Sequence, residues 1–273
     1  MKQKKIIFID IDGTLRNRNR ELTQRTKEAI TQASQREWMI VLCSGRPRKY
    51  TEDISRQCNA SNYIITSSGG NIYDYHKNQI LYTNIMDKEA CIKLYDLANK
   101  KDVRFIMNVD DGRVVNKLKH MDGTEILLKT DIRSFVYTHD IVQCTVADSN
   151  FEKIKSMEEA IKKIEKVNIR NQHKSLIDDS FQPEGTIYYD ISNADCSKGK
   201  AIIELCKILQ VNRENTIAIG DDKNDLSMFE VVGYRVAVEN AIKELKTIAD
   251  EITKSNDEDG VAIFLEKLMK EGT

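Results

Sequence analysis

Ile6-Ile7-Phe8-Ile9-Asp10-Ile11-Asp12-Gly13-Thr14 runs a short apolar strand straight into two carboxylates two positions apart. Successive side chains of an extended chain point to opposite faces, so Asp10 and Asp12 point the same way. Unpartnered charge at the end of a buried strand is unfavourable by several kcal/mol, so such a pair normally coordinates a metal or carries out chemistry. Gly13 then permits a sharp turn or a close approach to a ligand. Taken alone, Asp-x-Asp-Gly-Thr also describes a solvated turn. The rest of the chain decides between the two.

On both sides of this stretch, apolar strands alternate with amphipathic segments. Strands are predicted at 39–43, 63–65, 216–219 and 236–238. Helices are predicted at 23–36, with Ala29, Ile30 and Ala33 on one face, and after Ser197, with Ile202, Leu205, Cys206 and Leu209. Two more carry Ile242, Leu245, Ala249 and Ile252, then Val261, Phe264, Leu265 and Leu268. Short buried strands between such helices imply a parallel sheet covered on both faces.

The middle of the chain has a different texture. A helix at 88–98 is followed by strands at 104–109 and 113–116, joined through the tight-turn sequence Asp110-Asp111-Gly112. Strands at 141–146, 167–170 and 186–189 flank a charged helix at 151–166. The fold class is therefore α/β: a Rossmann-like, doubly wound parallel sheet core with an inserted α+β domain. The core takes residues 1–83 and 191–273, and the insertion takes 84–190.

Composition removes several alternatives. The chain has 273 residues, 40% hydrophobic and 31% charged, as expected of a globular protein with a sizeable core. Forty-two Lys and Arg balance 43 Asp and Glu, so no overall basic field points to nucleic acid or a membrane surface. The basic start, Met1 to Lys5, precedes only four apolar residues, too few for a secretory core, and the expected location is the cytoplasm. Six cysteines lie at 43, 58, 91, 144, 196 and 206 with no zinc or redox spacing, and are read as small buried hydrophobes.

The polar clusters sit where an open parallel sheet binds ligands, at the carboxyl ends of strands. They are Asp10 and Asp12, Ser44, the loop 66–70, and Asp221 with Asp222 and Asp225. Lys198 joins them from a helix start that Ser197 caps, a place that favours anions. Carboxylates without a His cluster form a hard oxygen site suited to Mg²⁺. A hydroxyl and a lysine suit a tetrahedral anion, and a second carboxylate beside the first supplies acid and base. Together they point to phosphoryl chemistry through an aspartyl nucleophile.

The sequence resembles the haloacid dehalogenase superfamily, and within it the Cof-type phosphatases. The residues that carry the resemblance are Asp10-Ile11-Asp12-Gly13-Thr14-Leu15, Ser44-Gly45-Arg46, Ser197-Lys198-Gly199-Lys200 and Gly220-Asp221-Asp222-Lys223-Asn224-Asp225. Four motifs in order, with a large insertion between the second and third, span nearly the whole chain. The resemblance implies Asp10 as nucleophile and Asp12 as general acid and base. It implies that Ser44, with Gly45, and Lys198 hold the transferring phosphate. Mg²⁺ would bind Asp10, Asp221 and the backbone carbonyl of Asp12, while Asn224 and Asp225 would support the phosphate, the lysine or metal-bound water. The insertion becomes a cap, and the substrate a small phosphorylated metabolite, with sugar phosphates foremost. Monomer and homodimer both stay open. One departure is Ser68, which stands where such proteins commonly have Asn. Another is Asp195-Cys196 ahead of the lysine motif.

Two other functions share these residues: a phosphomutase and a non-enzymatic phospho-aspartate switch of the receiver type. The roughly hundred-residue insertion and Asp12 itself argue against the switch. Arg46 is open between phosphate contact and a structural ion pair, and Arg16-Asn17-Arg18-Asn19-Arg20 reads as a solvated flap. Asp222 reads as a cap, and Trp38 as packing. In the insertion, Asn108, Asp110, His120 and Arg170 are candidate readers of the leaving group, with His173 unassigned.

Overall fold

The computed structural model describes residues 5–36, 38–109, 112–119, 125–174 and 185–271. Along the chain, β1 (Lys5–Asp10), α1 (Gln24–Gln35), β2 (Trp38–Cys43), α2 (Arg48–Gln57) and β3 (Tyr63–Thr66) form the first strand–helix alternation. They are followed by β4 (Asn71–Asp74) and β5 (Gln79–Thr83). The insertion comprises α3 (Lys88–Lys100), β6 (Arg104–Val109), β7 (Gly112–Val115), β8 (Glu125–Leu127) and α4 (Ile132–Thr138). It continues with β9 (Gln143–Asp148), α5 (Phe151–Ile161), β10 (Val167–Lys174) and β11 (Ile187–Asn193). The chain then returns through α6 (Lys198–Leu209), β12 (Thr216–Gly220), α7 (Leu226–Phe229) and β13 (Tyr234–Val238). It ends with α8 (Lys243–Ile248), β14 (Glu251–Thr253) and α9 (Gly260–Glu271).

Two compact units result: Met1–Tyr82 with Ser197–Thr273, and Thr83–Cys196. The first is built on an eight-stranded sheet in the order β14-β13-β12-β1-β2-β3-β4-β5. It is parallel from β14 to β3, and β4 returns antiparallel to β3. From β1 the chain winds outward through β2 and β3, and later outward the other way through β12, β13 and β14. The switch point lies between β1 and β12. That is the doubly wound α/β class expected from the sequence. Strands β1, β2, β12 and β13 are buried along most of their length, so they read as continuous apolar runs. Ile6 to Ile9 pack there with Ile30 and Ala33 of α1 and Ile202 and Leu205 of α6.

The second unit has a six-stranded sheet, β10-β11-β9-β6-β7-β8, antiparallel except where β8 runs parallel to β7. One face is apolar: Phe105, Met107, Cys144, Val146, Tyr189 and Ile191 pack with residues of α3, α4 and α5. Alternation sends Asn108, Gln143, Thr145 and Asp190 to the other face.

Several local expectations change. Ile252 is not helical but lies on β14, opposite Ala237 of β13. The chain leaves α8 at Ala249, which adopts an extended conformation, and the apolar spacing had run across that break. Helix α5 stops at Ile161, and Lys166 adopts a left-handed conformation before β10. Helix α2 left almost no apolar period because its buried side chains include only one hydrophobe, Ile54, beside Thr51 and Ser55. The turn residues Asp110 and Asp111, and His120, lie outside the described residues, as does the side chain of His173. Arg170 ties β10 to β11, donating to Ser192 Oγ at 2.9 Å and to the carbonyls of Asn193 and Ala194. Asp195 accepts from Asn84 at 3.0 Å, joining the two chain ends of this unit. No described helix is long and apolar enough to cross a membrane.

Candidate active site

Strand register brings the polar residues of the first unit to one edge of its sheet. Asp10 lies opposite Cys43 on β2, and Ile9 opposite Ile219 on β12. Ser44 and Asp221 therefore leave their strands at the level of Asp10, at the carboxyl ends flanking the switch point. Lys198 enters from the first residue of α6, whose N-cap Ser197 accepts from the Lys200 amide at 3.1 Å.

The centre is a buried ionic cluster. The Lys198 ammonium pairs with Asp10 Oδ1 and, at 2.7 Å, with Asp225 Oδ1, and none of the three is more than 5% exposed. Asp225 Oδ2 accepts from the backbone amides of Asp221 and Asp222 at 3.0 and 3.2 Å. Both oxygens of Asp225 are thus engaged in orienting Lys198 and the 221–225 turn. Asp221 Oδ1 accepts from Thr14 Oγ1 at 2.6 Å, which ties the turn after β12 to the turn after β1. Ligand oxygens of Asp10, Asp221 and Asp225 all lie within 4.8 Å of one another.

Two glycines make this possible. Gly13 has φ +92°, and a Cβ there would overlap the Asp221 carboxylate. Gly69, at φ +99°, brings the 67–70 loop against the Ser197 carbonyl, where a Cβ has no room. Gly13→Ala is expected to destabilise the protein by about 1–3 kcal/mol through strain at positive φ and to displace Asp221. Thermal unfolding and an activity assay of the variant check this, and wild-type values in both would refute it.

Asp12 sits beside the cluster and is held differently. Its Oδ2 accepts from Arg46 Nε at 3.0 Å, and its Oδ1 accepts from the Tyr50 hydroxyl at 3.1 Å. Tyr50 in turn accepts from Arg16. Arg46 is thus engaged in an ion pair with Asp12. Arg16 is not part of a solvated flap, because its guanidinium reaches Tyr50, whereas Arg18 forms an exposed pair with Asp257.

Ser44 is buried. Its amide donates to the Ile65 carbonyl, its carbonyl accepts from Ser68, and its Oγ accepts from the Arg46 amide at 3.1 Å, across Gly45. Ser67 and Ser68 both adopt left-handed conformations in the loop after β3. Asn224 leaves its side-chain oxygen buried without a hydrogen-bond partner. Asp222 caps the short turn through its contact to the Lys223 amide at 2.8 Å.

Burial and like charge act together on the carboxylates. Burial pushes Asp10 well above the usual carboxylate range; Lys198 opposes this, and Asp225 and Asp221 add to it. Asp221 is pushed up to about 7, by burial first and then by Asp225. Burial disfavours the Lys198 charge, but Asp10 and Asp225 outweigh it and hold the ammonium protonated. Asp12 moves the other way: burial would raise it, but the charge of Arg46, the donors Arg46 and Tyr50, and Arg16 together lower it. When all are ionised, three carboxylates against one ammonium leave two negative charges in a site of hard oxygen donors. That donor set and that excess charge fit a divalent cation.

The sequence reading placed Asp10, Asp12, Ser44, Gly45, Lys198, Asp221 and Asn224 at one site, and the structure gathers them on one sheet edge. It passed over Thr14 and Tyr50, and left Asp225 open between supporting the phosphate, the lysine or metal-bound water; here Asp225 pairs with Lys198. Pro47 was an available signal for α2, since proline favours a helix start, and would have put Tyr50 on the turn after Arg46.

The family model for haloacid dehalogenase-like hydrolases matches residues 7–265. The 5-amino-6-(5-phospho-D-ribitylamino)uracil phosphatase of Bacillus subtilis (strain 168) is 31% identical, over 97% of this chain and 98% of its own. The phosphoglycolate phosphatase of Archaeoglobus fulgidus is 28% identical, over 98% of each chain. Among solved structures, a haloacid dehalogenase-like hydrolase from Bacteroides thetaiotaomicron superposes with a TM-score of 0.81 at 25% identity, covering 97% of this chain and 100% of that one.

Proposed function

The chain belongs to the haloacid dehalogenase-like hydrolases and is a phosphatase, and from that premise we propose a Mg²⁺-dependent hydrolase of small phosphorylated metabolites that works through an aspartyl-phosphate. The observation that carries the proposal is the buried Lys198 ammonium bridging Asp10 and Asp225 beside Asp221.

Asp10 uses its carboxylate to attack phosphorus while the bond from phosphorus to the leaving oxygen breaks. Asp12 must enter this step protonated, against the donors that lower its pKa in the free protein, and it gives that proton to the leaving oxygen. Asp12 then removes a proton from water, the water oxygen attacks the aspartyl-phosphate, and the bond from phosphorus to Asp10 breaks. Lys198 and the Ser44–Gly45 turn hold the transferring oxygens, and the unpartnered Asn224 oxygen supports a donor at the same edge. Asp10, Asp221 and the Asp12 backbone carbonyl would hold Mg²⁺, which when bound neutralises phosphate oxygens that otherwise repel the nucleophile.

The leaving group is proposed to be neutral and hydroxylated, with sugar phosphates the first class to test and a ribityl phosphate, as in the B. subtilis relative's name, the second. Phosphate release from sugar, polyol, nucleotide and carboxylic-acid phosphates, with Mg²⁺ and with EDTA, tests the reading. Release in EDTA equal to that in Mg²⁺ would remove the metal from the proposal, and exchange of phosphate between substrate positions would make the enzyme a mutase.

Metal affinity carries a pH signature. A proton on Asp221 competes with the cation below about pH 7 and not above it. Apparent Mg²⁺ affinity is therefore expected to rise with pH by up to about tenfold per unit below that value and to level off above it. Mg²⁺ activation curves between acid and mildly alkaline pH read this directly. A flat affinity would mean that Asp221 is not a ligand or that its carboxyl is not raised.

A further inference from the structure

Tyr50 lies outside the four motifs, and three residues fix it: Arg16, Arg46 and Asp12. The Arg46 guanidinium lies 5.2 Å and that of Arg16 5.8 Å from its ring centroid. Arg16 donates to the hydroxyl oxygen, and the hydroxyl hydrogen goes to Asp12 Oδ1 at 3.1 Å. The direction of that second bond follows from the first. A guanidinium donates and never accepts, so the hydroxyl oxygen accepts from Arg16 and its hydrogen is left for the carboxylate. Arg46 takes the other carboxylate oxygen, so each oxygen of Asp12 has its own donor.

We propose that Tyr50, oriented by Arg16, is a positioning residue for Asp12 that sets the rate at which the aspartyl-phosphate is hydrolysed. The proposal rests on the covalent reading above. A carboxylate held at one oxygen by one arginine can still turn about its bond to Cβ. A second donor on the other oxygen removes that freedom and aims the carboxylate at the water whose proton it must take. In that step water loses a proton to Asp12, its oxygen bonds to phosphorus, and the electron pair of the breaking bond returns to Asp10. The first half-reaction depends on the same aim only when the leaving oxygen needs a proton. A nitrophenolate leaves without one.

Tyr50→Phe removes the hydroxyl and keeps the ring beside Arg46. The experiment is a rapid acid quench with ³²P-labelled p-nitrophenyl phosphate and Mg²⁺, wild type against variant, with thermal unfolding alongside. The expected result is a first-turnover release of nitrophenol within about twofold of wild type and phosphoenzyme decay about tenfold slower, the loss appropriate to one hydrogen bond to a charged group. Labelled phosphoenzyme then accumulates in the variant, kcat and KM fall together, and the unfolding temperature holds. Arg16→Gln, which frees the hydroxyl to rotate, should shift the same decay in the same direction. Decay at the wild-type rate in Tyr50→Phe would overturn the proposal. So would an equal loss in both phases, which marks a general structural role. Turnover without labelled protein in either enzyme would instead defeat the covalent reading. In that case a tenfold loss of kcat at constant KM still supports the Tyr50 contact, and an unchanged kcat refutes it.

Discussion

Asp10→Asn is expected to lower turnover at least about 10⁴-fold while leaving the protein folded, because the amide is no nucleophile and the aspartyl-phosphate cannot form. Stability is expected to hold for a separate reason. Asp10 is buried, and its pKa is raised by burial and by repulsion from Asp225 and Asp221, so its charge is a burden on the native state. The Asn side chain keeps an oxygen that accepts from Lys198, and one negative charge leaves the cluster. The unfolding temperature should therefore stay level or rise as activity disappears, a pairing that a merely damaged protein does not give. Residual activity above a few per cent of wild type, in protein free of contaminating phosphatase, would remove Asp10 as the nucleophile.

Lys198→Met is expected to have the largest effect on stability. The ammonium is fully buried and is the counter-charge of two buried carboxylates. Removing one partner from such a pair leaves charge without compensation and destabilises by about 3–5 kcal/mol, although Met fills much of the same volume. The sign of the pH dependence follows. Asp10, already raised by burial, binds its proton more tightly still without Lys198, so the variant is favoured by acid and loses stability as pH rises. Wild type shares part of this trend, because its Asp10 is raised as well, but the persistent Lys198 charge limits it. The stability gap should therefore narrow as pH falls toward the ordinary carboxylate range. Denaturant unfolding of both proteins at several pH values measures it. A pH-independent gap would mean that lost packing, rather than orphaned charge, is responsible. Turnover should fall with it, since the transferring oxygens lose their principal cation.

Much of the fold was legible in the chain because its core strands are buried on both faces. Ile6 to Ile9 and Thr216 to Ile219 read as strands for that reason, and the helices that cover them carry an apolar period. Elements whose buried side chains are polar, or that are very short, left no such mark. Helix α2 buries Thr51 and Ser55, β8 has three residues, and β14 shares its apolar spacing with the helix before it.

The motif residues and their order were set by the sequence alone, since Asp10, Ser44, Lys198 and Asp221 each end a strand or begin a helix whatever their neighbours do. Which of them touch was decided only in the folded chain. Asp225 lies 27 residues from Lys198, and Asp221 lies 207 from Thr14; only the parallel pairing of β12 with β1 brings those turns together. The same holds for Asp12, whose two donors come from the turn after β2 and from α2. A carboxylate's charge state and aim depend on the dielectric and the donors around it, and those are properties of the packed structure rather than of residue spacing.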